Sequence, residues 1–384
     1  MAEFTRSTGH AATPLRHDPK LFRDSVLNSV VGTMMGGEGS GAPIIVDTEL
    51  SQKAGDTKRF HLTPYIDINP ILGQDAAIKG NESKVTEAVF DVKIDEVNFA
   101  LRKKGRMSDQ RTILNVMNEH KLQITNLFMQ YNNDEVFRKL SGQSVTDTDA
   151  INPTTNRVNG PNRCFRMDGT SGAKSCTEEE SDATALGGVS GLVEQTDKFN
   201  LLGIEHIVAA VQAKPTSGYR MNSVGQAGRD DHEKYTLWVS PEQAIQLRQD
   251  PDWQNQHLSR LEAGLGDDFA EGWIGMYNNV IVRRTHRIRT FNVTGGKGRY
   301  ARALLIGSDA LMMCWANTLS FAADDDDYAR EQGTNGWEVR GAEKITMPLD
   351  PDATPLATIP AVANEDQDLG IAQIISAAPS IPSA

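Results

Sequence analysis

Eight histidines and three cysteines are the residues of this chain best suited to catalysis or metal ligation, and their spacing supports neither. Cys164, Cys176 and Cys314 fit neither a zinc pattern nor a paired disulfide framework, and they read as thiols of a reducing compartment. The histidines are scattered, with His120 inside a helical pattern and His206 beside Glu205, and each reads as a packing or surface residue. Neither a Gly-x-Ser-x-Gly elbow nor a His-Glu-x-x-His helix occurs. Gly37-Glu38-Gly39-Ser40-Gly41-Ala42 matches a loose dinucleotide fingerprint but runs into Pro43, so a phosphate would find no helix N-terminus there. The Asp324 to Asp327 run offers oxygens that suit a hard cation, yet no glycine-containing EF-hand spacing frames it, and like charges repel into solvent. The expectation is no catalytic residue, no cofactor and no metal site.

Two basic clusters remain, Arg102-Lys103-Lys104-Gly105-Arg106 and Arg283 through Arg289. Both fall on strand-like stretches, where alternate side chains face opposite sides and each cluster divides between two surfaces. Aromatic residues for stacking on bases are missing from them, and 39 basic against 51 acidic residues leave a formal charge of -12. Ion pairs with neighbouring copies of the chain are the expected use, with Arg284 and Arg287 as candidates.

The elements that would position these residues follow from hydrophobic periodicity. The first forty or so residues are polar, with a glycine cluster, and read as an arm. Thr57 to Thr63 alternates, with Phe60 and Leu62 on one face, and Val89 to Ile94 alternates through Phe90, Val92 and Ile94. These predict a hairpin, with a bulge or bend at Asp95-Glu96 after which Val97, Phe99 and Leu101 carry the apolar face. A lone hairpin is marginal in water, so Phe60, Leu62, Phe90 and Ile94 are expected to bury against a neighbouring subunit. Ser108 is a good N-cap for a long helix ending before Gly142, with Ile113, Met117, Ile124, Leu127, Phe128 and Tyr131 at helical spacing. Such a helix would be roughly 50 Å long, a spine for a flat subunit.

Ser141 to about Asp197 is polar and rich in Gly and Asn, a long loop or insertion. The second half alternates helices (Leu201 to Ala213, Pro241 to Arg248) with strands (Tyr235 to Val239, Val280 to Ile288, Ala303 to Gly307), without a βαβ rhythm. Ala310 to Trp315 is expected to continue the last strand's layer, and Leu369, Ile371, Ile374 and Ile375 to form a short helix or docking strip in the tail. The fold class is therefore α+β. No stretch approaches the roughly 18 apolar residues of a membrane span, and no signal peptide is expected.

The stretches GDTKRFHLTPYI, GNES and VKIDEVNFALRKKGRMSDQRT, followed in order by LWVSPEQAIQLRQD, IGMYNNVIVRRTHRI and RALLIGSDALM, resemble the major capsid proteins of tailed bacteriophages in the N4-like branch. The resemblance spans roughly residues 50 to 320 and implies the Hong Kong 97 capsid fold. It implies an N-terminal arm at 1–49, an extended loop hairpin at 50–104 and a peripheral domain with the spine helix and long polar loop at 105–199. An axial domain at 200–320, a return to the peripheral domain at 321–347 and a C-terminal tail at 348–384 complete it. It also implies self-assembly as hexamers and pentamers into an icosahedral virion shell. The other partners would be a portal, scaffolding or decoration proteins, and double-stranded DNA enclosed without sequence-specific binding or membrane contact. Synthesis would be in the host cytoplasm. The alternatives are an encapsulin-like cellular compartment, which would carry enzyme cargo, and an α+β enzyme whose pocket would draw together groups such as His61, His206 or the Asp324 run.

Overall fold

The computed structural model describes residues 31–49, 55–62, 88–104, 116–141, 158, 163–169, 171–175, 196–213, 219–225, 233–255, 273–288, 291–292, 299–326, 331–348 and 366–378. After a short 3-10 turn, the chain forms β1 (Met35–Gly36), β2 (Ile44–Asp47), β3 (Thr57–Leu62), β4 (Ala88–Lys93) and β5 (Asp95–Lys104). There follow α1 (Val116–Ser141), β6 (Cys164–Asp168), β7 (Gly172–Ser175), α2 (Leu201–Gln212), β8 (Tyr235–Val239) and α3 (Pro241–Gln249). Next are β9 (Trp273–Tyr277), β10 (Val280–Arg284), β11 (Phe291–Asn292), β12 (Arg299–Ile306) and β13 (Leu311–Asp326). The chain closes through β14 (Glu331–Lys344), β15 (Thr346–Pro348), β16 (Asp366–Asp368) and β17 (Ile371–Ala378).

The eight-stranded large sheet runs β7-β6-β17-β12-β8-β10-β9, with β11 also on β12. Its middle strands are buried on both faces, so they read as nearly continuous apolar runs, Tyr235–Val239 with Thr236 its one polar residue and Ala301–Ile306 with Arg302 its one charge. One face carries α2 and α3. Leu201, Ile204, Ile207, Val208 and Val211 of α2 lie at helical spacing and join Leu237, Val239, Leu305 and Ile374 in one core. Asn200 caps α2 by accepting from the Gly203 amide, and Ser240 with Gln243 forms a capping box on α3, with Pro241 in its first turn.

The five-stranded small sheet runs β1-β2-β13-β14-β5. Its two faces take opposite loads. Ile44, Leu311, Met313 and Ala342 bury with Val136, Phe137 and Leu140 of α1 and with Trp238, Leu304 and Ile306 of the large sheet. The C-terminal half of α1 is thus held between the two sheets. On the opposite face, Ile45, Met312 and Cys314 are covered by Phe90 and Val92, with Phe60, Leu62 and Ile94 packed alongside.

Several expectations change here. Ser308 and Asp309, the latter at φ 55, break the strand after Ile306, so Leu311–Cys314 enters the small sheet and does not continue the β12 layer. Ile371–Ala378 is a strip docked as a strand, not a helix: it lies beside β12 over eight residue pairs, from Arg299 with Ala378 to Ile306 with Ile371. The polar insertion contributes β6 and β7 to the edge of the large sheet, where Phe165 and Met167 are buried. The glycine cluster of the expected arm is a turn linking two parallel strands, and Ile44 just beyond it is fully buried. The ranges 105–199, 200–320 and 348–384 therefore each cut across the sheets, because strands distant in the chain pair side by side.

Candidate assembly surface

The helix predicted from Ser108 is observed from Val116 to Ser141, about 39 Å at helical rise. Ile113 lies outside the described residues, as does the side chain of Met117 within α1. Ile124 and Phe128 are buried, and Phe128 and Tyr131 meet Phe99 of β5 edge to face, with ring centroids 4.8 and 5.8 Å apart. The helix lies along β14 and runs the same way. Ile124 and Phe128 sit over Gly336, Glu135 pairs with Arg340, and Lys139 pairs with Glu343 at 2.6 Å. Fifteen residues of helix cover ~22 Å and seven of strand ~23 Å, so the two stay in step along the whole seam. A Cβ on Gly336 would stand 2.5 Å from Ile124 Cγ2, which explains why glycine occupies the crossing.

Charge closes this seam. Arg340 is buried between Glu135 and Glu338 and lies over the Tyr131 ring, 5.4 Å from its centroid. Burial pushes the Glu338 carboxyl above its ordinary range, against the pull of Arg340. Arg302 of β12 donates to the carbonyl of Ser141 at the C-terminus of α1, where the helix dipole favours a cation. Full burial draws the Arg302 guanidinium down to about 10. Arg163 is likewise drawn down to about 10, and it donates to the carbonyls of Asp368 (2.7 Å) and Tyr219 (2.9 Å). Lys344 and Asp368 form a buried ion pair at 3.0 Å. Periodicity did not single out these cations, since Arg340 and Lys344 stand among the acids of a mixed strand and Arg163 in a loop; an arginine interrupting an apolar strand, as Arg302 does in RYARALLI, was the available signal.

The hairpin pairs Thr57 with Lys93 through Leu62 with Ala88. Its apolar face lies on the subunit's own small sheet: Phe90 is buried there, and Phe60, Leu62 and Ile94, expected with it at contacts between copies, pack alongside half-buried within one copy. The reason is proximity: β4 runs directly into β5, which holds the hairpin over Met312 and Cys314. Lys58 bridges to Asp47 and Glu49 of the β2 end, and Arg59 makes a two-pronged pair with Asp91 at 2.8 Å on the solvent face. Residues 63–87, the expected projecting loop, lie outside the described residues.

Of the two arginines expected at contacts, Arg284 is exposed. Arg287 pairs with Asp134 and donates to the Gln130 carbonyl of α1 within one copy, so it ties the large sheet to the helix. His61, His206 and Asp324 lie on β3, α2 and β13, three different elements, and the structure does not bring them together as a site. Among the described residues no cluster of three metal-ligating side chains occurs. Asp324, Asp325 and Asp326 end β13 two strands away from Arg102 and Lys103, with Glu331 of β14 bonding Arg102 at 3.4 Å. Burial, helped by the Asp47 carboxylate, pushes the Cys314 thiol up to about 11, a packing residue and not a nucleophile.

This geometry joins two sheets through one helix, with charged residues at both ends of the outer strand β5. The capsid of Ralstonia phage GP4 superposes with a TM-score of 0.68 at 21% identity, covering 91% of both chains. The cyanophage Pam1 capsid gives 0.70 at 16% identity over 99% of this chain and 100% of that one. The capsid of Helicobacter pylori bacteriophage KHP30 gives 0.62 at 12% identity, covering 91% of this chain and 92% of that one. These likenesses show the Hong Kong 97-type α+β fold. No curated protein matches. A family model described as phage capsid protein matches residues 9–379, so the chain belongs to the phage capsid protein family, as a major capsid protein that forms the shell.

Proposed function

We propose that the chain closes into hexamers and pentamers of an icosahedral shell around double-stranded DNA, and that it does so with no catalytic step of its own. The family match over residues 9–379 carries this reading. Several features support it. A formal charge of -12 keeps phosphate from sticking to the wall. The buried charges at the α1 seam suit a plate that transmits load, and many modest contacts per copy combine by effective concentration. The small sheet with α1 would serve as the peripheral domain and the large sheet as the axial domain around capsomer axes. Arg284 would pair with an acidic surface of a neighbouring copy. Synthesis would be in the host cytoplasm, with a portal and a scaffolding or decoration protein as assembly partners, and the N4-like branch is the family's proposed subdivision here.

The test is electron microscopy with light scattering of the chain expressed alone and together with the other head proteins of its phage. Closed shells, tubes or ring-shaped capsomers are expected. A chain that stays monomeric even beside those proteins overturns the proposal.

A further inference from the structure

β5 ends the small sheet, and among the described residues its one strand neighbour is β14, paired over ten residues without a bulge from Lys104 with Glu331 to Asp95 with Arg340. Such an edge is a template for another strand. At its start the Glu96 amide donates to the Asp95 side chain at 2.8 Å, which is how an N–H beyond a ladder finds an acceptor. The strand is also polarised. Acids stand at one end (Asp95, Glu96), bases at the other (Arg102, Lys103, Lys104), and Val97, Phe99 and Leu101 stand half-buried between them.

A strand with that order complements itself when turned around. In an antiparallel pair about a two-fold axis through Phe99, Glu96 stands opposite Arg102, Asn98 opposite Ala100 and Val97 opposite Leu101, while Phe99 meets its own equivalent. A shift centred on Asn98 would set Asp95 against Leu101 and Arg102 against Ile94. A shift centred on Ala100 would set Lys103 against Val97. That last register still opposes Glu96 to Lys104 and Phe99 to Leu101, but it pairs one acid alone, whereas the Phe99-centred register opposes both Asp95 to Lys103 and Glu96 to Arg102 and keeps Val97, Phe99 and Leu101 together.

We infer that two copies join edge to edge through β5, antiparallel across a two-fold axis at Phe99, making one continuous sheet from two subunits. The inference rests on the shell reading and adds the surface, the partner and the register. Within one copy Arg102 already leans on Glu331, so the joined edge shares that cation between two carboxylates.

Assembled particles of the double variant Asn98→Cys/Ala100→Cys provide the test, read on non-reducing gels after mild oxidation. Opposed residues of a hydrogen-bonded antiparallel pair have Cα atoms about 5.5 Å apart, inside the roughly 4.4–6.8 Å span of a disulfide. A residue and its own equivalent are displaced by a further ~7 Å along the strand in this register, too far to bridge. The double variant should therefore give a covalent dimer, and either single variant only monomer. Adding Glu96→Arg should abolish the dimer, and adding Arg102→Glu to that should restore it. Intact particles that stay monomeric on the gel overturn edge pairing and leave the shell reading standing. A dimer from Asn98→Cys alone overturns the register. Wild-type chain that never assembles beside its phage's head proteins overturns the shell reading itself.

Discussion

The large and small sheets bury their strands by different means. In the large sheet, β8 is buried at every residue and β17 at all but its last, because α2 and α3 cover one face while α1 and the small sheet cover the other. In the small sheet β14 alternates between buried and half-buried positions, and the far end of β13 is exposed from Phe321 to Asp325. The large sheet is held by apolar area, which has no direction. The small sheet is held at α1 by Arg340, Glu135, Glu338, Lys139 and Glu343, whose partners are specific. A subunit that must hold its shape and also meet neighbours gains from this division: one sheet is buried almost throughout, and the other keeps exposed, polar strand ends.

The sharpest way to break that contrast is Arg340→Ala, which leaves Glu135 and Glu338 buried without their cation and should cost about 3–5 kcal/mol. Hydrogen exchange should accelerate first in 116–135 and 331–344; equal acceleration in the large sheet would mean that the two regions are one cooperative unit. Leu237→Ala opens a cavity in a fully buried site and should cost about 2–5 kcal/mol, with protection lost in both sheets together, as followed by urea midpoint and exchange. Gly336→Ala forces a methyl against Ile124 and should cost about 1–3 kcal/mol, read as a lowered melting temperature; an unchanged value would show that the helix can lift off β14 freely.

The smallest effect is a pH dependence. Glu338 has a folded pKa raised above its unfolded value, so the native state binds more protons between the two. Stability falls as pH rises through that window and the cost of the buried charge persists above it. Glu338→Gln should flatten this slope, as seen in urea midpoints measured across the acid range, and an unaltered slope would assign the titration elsewhere.

Much of this was legible in the chain. Tyr235–Val239 needed only its apolar run, α3 only Ser240-Pro241 and its capping glutamine, and the β4 to β5 break only the change of parity after Ile94. Less legible were the partners. Phe60 and Phe90 announced an apolar face but not whose surface would cover it, since alternation records burial and not the identity of the covering group. Leu369 to Ile375 announced a buried strip, and only the pairing of β17 with β12 showed it to be the middle of a sheet. Arg287 announced charge, and its pairing with Asp134 depends on a helix more than 150 positions away in the chain.

By itself the sequence determined the α+β class, the strands and caps whose signals are local, and the absence of any recognised catalytic motif, because periodicity and capping depend on near neighbours. Tertiary structure alone decided which sheet each strand joined, which arginines were spent inside the subunit, and which strand ended the small sheet. Those outcomes turn on contacts between residues far apart in the chain, and no local pattern encodes them.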